Sequence, residues 1–190
     1  MNIEQFVMAY AVEQDRLRCL LPDGFISLRP VLRVNAEIRD NNEGYVEFNT
    51  AVEKEGTKGW LNVGNWEGVK FERIANTVIF KTDFLTISFT PVGIEGACPA
   101  EKDNDGCFFV RETPWLKLAE KITVNKEFCD CEFRWLFDGN GACGKSIGKT
   151  LPAVCSEVKN LYPKQGFTLQ NVATIPCEQV LGAYVVRFVR

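Results

Sequence analysis

Three consecutive blocks decide the fold: Val31-Leu32-Arg33-Val34-Asn35-Ala36-Glu37-Ile38-Arg39, then Asp40-Asn41-Asn42-Glu43-Gly44, then Tyr45-Val46-Glu47-Phe48-Asn49-Thr50-Ala51-Val52-Glu53-Lys54. In the first, Leu32, Val34, Ala36 and Ile38 alternate with Arg33, Asn35, Glu37 and Arg39. A period of two is the mark of a strand that turns one face to a core. The middle block is a run of turn formers. The third block therefore returns as the partner strand of a hairpin.

Outward from this hairpin the same signals recur. Upstream, Leu17, Leu20 and Leu21 at helical spacing predict a short amphipathic helix over Glu13 to Leu21, stopped by Pro22 and Gly24. Downstream, strands are predicted at Gly59 to Val63, Thr77 to Lys81, Leu85 to Phe89, Cys107 to Arg111, Glu127 to Phe137, Phe167 to Ala173 and Ala183 to Val189. Further helices are expected from Thr113-Pro114 to Lys121 and from Thr150-Leu151-Pro152 to near Tyr162. Many short strands with two or three short helices predict a mainly β (α+β) fold, an antiparallel sheet closed or half-closed into a barrel. At 190 residues and 46% apolar content the chain is expected to form a single domain over 1–190.

Composition excludes several kinds of chemistry. The net charge is −3 with basic and acidic residues interspersed, so neither nucleic acid nor an anionic membrane is an expected partner. The opening Met1-Asn2-Ile3-Glu4-Gln5 is unlike a signal peptide, and no apolar run reaches the roughly 20 residues of a membrane-spanning helix; a cytoplasmic location is expected. On that basis the eight cysteines are expected to be reduced thiols. There is no histidine, which removes the commonest general base, the partner of most Ser and Cys nucleophiles, and the commonest metal ligand. Proton transfer here falls to Glu, Asp, Lys, Tyr or Cys.

Three motif matches fail on context. Gly139-Asn140-Gly141-Ala142-Cys143-Gly144-Lys145-Ser146 fits the phosphate-cradling P-loop pattern, but Gly148 and Pro152 interrupt the helix such a loop must open, so it reads as a Gly-rich connection. Glu101, Asp103, Asp105, Gly106 and Glu112 fall at EF-hand positions, yet the first is Glu and the flanks are strand-like, so an acidic turn is expected. Cys129 and Cys131, on one face of a strand, could join Cys98 and Cys107 around zinc, but the spacings are not those of paired CxxC ligands. No metal site and no cofactor is expected.

Glu47 is the central candidate. Its strand divides into Tyr45, Glu47, Asn49 and Ala51 on one face and Val46, Phe48, Thr50 and Val52 on the other. If the second set packs outward, the first faces a barrel lumen, where desolvation makes a carboxylate a useful acid or base. The other reading makes the first set the solvated face of an edge hairpin. Trp60 and Asn62, on the next predicted strand, join Tyr45 and Asn49 as substrate-binding candidates.

Phe6-Val7-Met8-Ala9-Tyr10, Leu17-Arg18, Leu21-Pro22, Arg33 in its alternating strand, Tyr45-Val46-Glu47 and Gly56-Thr57-Lys58-Gly59 together resemble the N-terminal half of acetoacetate decarboxylase and its wider superfamily. The resemblance implies a cone-like antiparallel β-barrel that binds small organic acids or ketones, often as a homo-oligomer, with Glu47 at the place of a family glutamate. It further implies a lysine that forms a Schiff base with a ketone, activated by desolvation and a neighbouring cation. Lys70 and Lys81 are the candidates. Around Lys70 the string Gly64-Asn65-Trp66-Glu67-Gly68-Val69-Lys70-Phe71 lacks the arginine, proline and second lysine of the family pattern, and Ile3 stands near the place of another family arginine. Two functions follow: a decarboxylase-like lyase acting on a keto acid, or a non-catalytic ligand-binding or structural protein that has lost the lysine pair.

Overall fold

The structure, a computed structural model, describes residues 1–83, 85–96, 98, 107–109, 116–117, 125–136, 142–143, 175 and 177–190. In chain order the elements are β1 (Asn2–Ala11), α1 (Gln14–Leu20), β2 (Ile26–Arg39), β3 (Glu43–Lys54), β4 (Thr57–Glu67), β5 (Lys70–Ile74), β6 (Thr77–Lys81), β7 (Leu85–Gly93), β8 (Cys107–Phe109), β9 (Leu116–Lys117), β10 (Glu127–Trp135), β11 (Ala142–Cys143) and β12 (Gln179–Val189). The strands form one sheet in the order β5-β6-β7-β10-β12-β1-β2-β3-β4-β8-β9, with β11 beside β10. All pairings are antiparallel except β4 with β8.

The β2–β3 hairpin forms where the alternation places it, and its turn shows why the register is firm. Asn42 N–H donates to Arg39 O at 3.1 Å, and the residues between them, Asp40 and Asn41, have φ of 46° and 62°. These left-handed values make a type I′ turn, whose twist matches that of the flanking strands. The next turn, through Glu55 (φ 51°) and Gly56 (φ 77°), repeats the device between β3 and β4. β3 is thus paired on both sides, with β2 and with β4, and the edge-hairpin reading of Tyr45, Glu47 and Asn49 is corrected.

Connectivity forces the sheet to curl. β5 and β4 lie eight steps apart along the path β5-β6-β7-β10-β12-β1-β2-β3-β4, which in a flat sheet is about 38 Å at the usual strand spacing. Only Gly68 and Val69 join them in the chain, a link that spans about 11 Å at most. The two ends must therefore meet, and they do so where Val69 N–H donates to Gly44 O at 2.9 Å. The result is a half-barrel.

Its concave side is a packed apolar interior. Phe48 on β3 stacks on Trp135 of β10 with ring centroids 5.3 Å apart, and Phe6 on β1 meets Phe80 of β6 at 5.6 Å. Each pair bridges four strand steps, which is possible only across the inside of a curled sheet. Met8, Tyr10, Leu32, Val34, Phe89 and Phe133 fill the same interior, and α1 adds Leu17 and Leu20. Val46, Phe48 and Val52 thus point into the barrel rather than outward, and the face that carries Glu47 is the opposite one.

Some expectations fail locally. β1 escapes the alternation test because Phe6 to Tyr10 are buried on both faces, so apolar residues run without a break. Leu116 and Lys117, expected within a helix, form the short β9. Of the Gly-rich P-loop match, Ala142 and Cys143 form β11, and of the EF-hand match Cys107 to Phe109 form β8. The rest of both motifs, the helix expected over 150–162 and the strand expected over 167–173 lie outside the described residues.

Candidate functional site

The second face of the sheet runs across β12, β1, β2, β3 and β4, and register sets its rows. Tyr184, Val7, Asn35 and Glu47 are consecutive partners, as are Gly182, Ala9, Arg33, Asn49 and Asn62. The β12–β1 half is apolar, with Val7, Ala9, Tyr184 and Val186 buried together. The β2–β4 half is polar and also buried: Glu47 is 7% exposed and Asn49 not at all. An apolar floor with a few convergent polar groups is the usual lining of a small-molecule site.

Four neutral donors hold the Glu47 carboxylate. Asn35 Nδ2 (3.0 Å) and Asn49 Nδ2 (3.2 Å) donate to Oε1, while Tyr45 Oη (2.7 Å) and Asn62 Nδ2 (3.1 Å) donate to Oε2. A carboxylate has about four lone-pair sites, so this one is fully occupied. Asn62 reaches it because β4 bulges between the Phe48–Gly64 and Asn49–Asn62 pairs, which re-aims the side chain. Gly64 N–H then donates to Asn62 Oδ1 at 2.9 Å and fixes the amide's orientation. Burial, and then the adjacent Glu47 charge and hydrogen bond, push the Tyr45 phenol above its ordinary value. Tyr45 therefore stays protonated and remains a donor.

Beside this cluster, the Arg33 guanidinium lies over the Trp60 ring, 4.3 Å from Cζ to centroid, with Arg29 at 5.6 Å. Arg39 covers the Tyr45 ring at 4.2 Å. Glu37 is a separate acid of the same face, tied to Gln5, Arg39 and Arg190. It reads as an ion-pair staple between strand ends rather than as chemistry.

Of the sequence candidates, Tyr45, Glu47, Asn49 and Asn62 converge on one carboxylate, and Trp60 shares their neighbourhood with Arg33. Lys70 and Lys81 do not join them. They stand opposite each other across β5 and β6, both exposed, with Lys81 in an ion pair with Glu72. Asn35 is the residue that sequence reasoning missed, although an amide on the polar side of a strongly alternating strand was a signal for it.

The cysteines divide. Cys19 and Cys177 are each disulfide-bonded, which corrects the expectation of reduced thiols at these two positions. Among the described residues Cys129 and Cys131 are free thiols. Burial, and then the Glu127 charge, push the Cys129 thiol up to about 12, and burial raises Cys131 well above its ordinary value. Such thiols are inert. Among the described residues no group of three or more His, Cys, Asp or Glu is placed to hold a metal ion, and no helix is long and apolar enough to cross a membrane. A cleft of about 760 Å³ lies over β6, β7, β10 and β12, lined by Thr77, Ser88, Thr90, Asp130 and Glu132 among others. Its two carboxylates are exposed, and we place the candidate site at Glu47 instead.

The curled sheet and its second, half-polar face define a protein of acetoacetate decarboxylase-like fold. Solved structures with this fold cover 98% of the chain. Acetoacetate decarboxylase from Legionella pneumophila subsp. pneumophila str. Philadelphia 1 matches with a TM-score of 0.54 at 12% identity over 81% of its own length. The enduracididine biosynthesis enzyme MppR, complexed with the condensation product of pyruvate and imidazole 4-carboxaldehyde, matches with 0.57 at 12% identity over 83%. A further acetoacetate decarboxylase structure matches with 0.60 at 12% identity over 82%. No protein-family model matches the chain, and no curated protein matches it in sequence.

Proposed function

We propose that the chain binds a small organic molecule on the second face of its half-barrel, and that Glu47 serves there as a positioning residue. The observation that carries this reading is the buried carboxylate with all its lone pairs taken by Asn35, Tyr45, Asn49 and Asn62. A carboxylate so saturated has no free lone pair with which to pull a proton from a substrate, but it locks four polar side chains in fixed orientations. The apolar residues Val7, Ala9 and Tyr184 supply the surface on which a ligand's carbon skeleton rests. The fold supports the reading by likeness, since MppR is complexed in one structure with pyruvate.

A second reading, a Schiff-base lyase, draws on one observation: Lys70 and Lys81 are register partners, which supplies the paired cation that the sequence string around Lys70 lacks. Against it, both lysines are exposed and Lys81 is ion-paired with Glu72, whereas a Schiff-base lysine works from a desolvated pocket. Ligand-observed NMR with a panel of small keto acids, amides and amines, repeated on Glu47→Ala, tests the first reading. Binding that survives the substitution unchanged would remove Glu47 from the site. Borohydride trapping with 2- and 3-keto acids tests the second, for which a mass adduct on Lys70 or Lys81 is required.

A further inference from the structure

Asn35 Oδ1, Asn49 Oδ1 and Trp60 Nε1 are buried side-chain atoms on the polar half of the second face whose hydrogen-bonding capacity is unused. Buried polar atoms without partners are few in folded proteins, and a cluster of them marks a place where a partner belongs. The orientation of the two amides is not arbitrary. Each turns its Nδ2 toward Glu47 Oε1, and a flipped amide would set its carbonyl oxygen against that negative charge. Glu47 thereby dictates that both carbonyl oxygens point away from it.

Asn35 and Asn49 are diagonal neighbours across β2 and β3, since Asn35 pairs with Glu47 and Asn49 with Arg33. Their amide nitrogens share the single acceptor Glu47 Oε1, so the two side chains lie side by side, where one planar group with N–H donors can meet both. Resting on the reading of this face as a ligand site, we infer that the group seated on Asn35 and Asn49 is a hydrogen-bond donor, a carboxamide or an amidine, and not a carboxylate. A carboxylate would bring its own lone pairs against two carbonyl oxygens. A carboxamide supplies N–H donors to the two oxygens and an acceptor for Trp60 Nε1. The unused atoms are shut off from solvent.

The experiment uses isosteric pairs on the intact chain: benzamide and benzamidine against benzoate, and propionamide against propionate, at millimolar concentration, read by ligand-observed NMR. The amide and amidine members bind, and Asn35→Leu or Asn49→Leu weakens them by about tenfold, with circular dichroism confirming that each variant folds. Should the carboxylate member of each pair bind more tightly, in a manner lost in Glu47→Ala, the inference falls while the ligand-site reading stands. If no member of any pair binds the wild-type chain, both fall. Amide binding that neither Asn substitution changes would also overturn the inference, and the wild-type comparison decides the matter if a variant does not fold.

Discussion

Replacing Glu47 by alanine removes the acceptor of four hydrogen bonds at once. Three of the donors, on Asn35, Tyr45 and Asn49, belong to buried residues, and Asn62 is half-buried. A buried donor left without a partner costs about 1 kcal/mol at the low end, so Glu47→Ala is expected to lose about 3 kcal/mol. In a chain of this size that lowers the melting temperature by roughly 6–12 °C. Glu47→Gln keeps the shape but puts an NH₂ where one oxygen stood. Tyr45 can turn its hydroxyl to accept, whereas Asn62 cannot turn its amide because Oδ1 already accepts from Gly64. Glu47→Gln is therefore expected to cost about 1 kcal/mol, from one stranded donor. Urea denaturation of the three proteins, with m-values checked for constancy, measures both quantities. A loss below about 1 kcal/mol for Glu47→Ala would mean that water satisfies these donors, and the fixed cluster would have to be abandoned.

Three other expectations follow from the fold. Phe48→Ala removes a fully buried ring that contacts Trp66, Phe133 and Trp135, and about 3–5 kcal/mol of stability should go with it in the same denaturation assay. Gly44→Ala would place a Cβ 2.1 Å from Val69 O; the half-barrel should open at that seam, and the Val69 amide should lose its hydrogen-exchange protection, while unchanged protection would contradict the closure described above. Stability should hold below pH 9 and fall between pH 9 and 12: Cys129 is raised in the folded chain from 9.0 to about 12, so over that range the unfolded chain gives up a proton the folded one keeps. The slope from this thiol is at most about 1.4 kcal/mol per pH unit, and Cys129→Ala should reduce the measured slope by that amount.

Alternation made β2 legible, and Asp40-Asn41-Asn42 announced its turn, because both signals depend only on neighbours in the chain. β1 was not legible, since a strand buried on both sides loses its alternation. Within the site, the sharing of one face by Tyr45, Glu47 and Asn49 followed from a strand's period of two. The arrival of Asn62 depended on a bulge in β4, which no local pattern marks. The placing of Lys70 opposite Lys81, away from Glu47, depended on a β5–β6 hairpin turning through Ala75 at φ 53°, for which the sequence offers no glycine as a sign.

By itself the sequence determined a mainly β fold, a carboxylate on a strand with polar neighbours on its own face, and the absence of histidine chemistry. Those facts rest on composition and on periods of a few residues. Only the tertiary structure decided which face of β3 became the barrel's interior, because that depends on the direction in which the sheet curls. The two-residue link from β4 to β5 and the aromatic contacts across four strand steps set that direction. They turned Phe48 inward and left Glu47 on the opposite face, where four neutral donors enclose it.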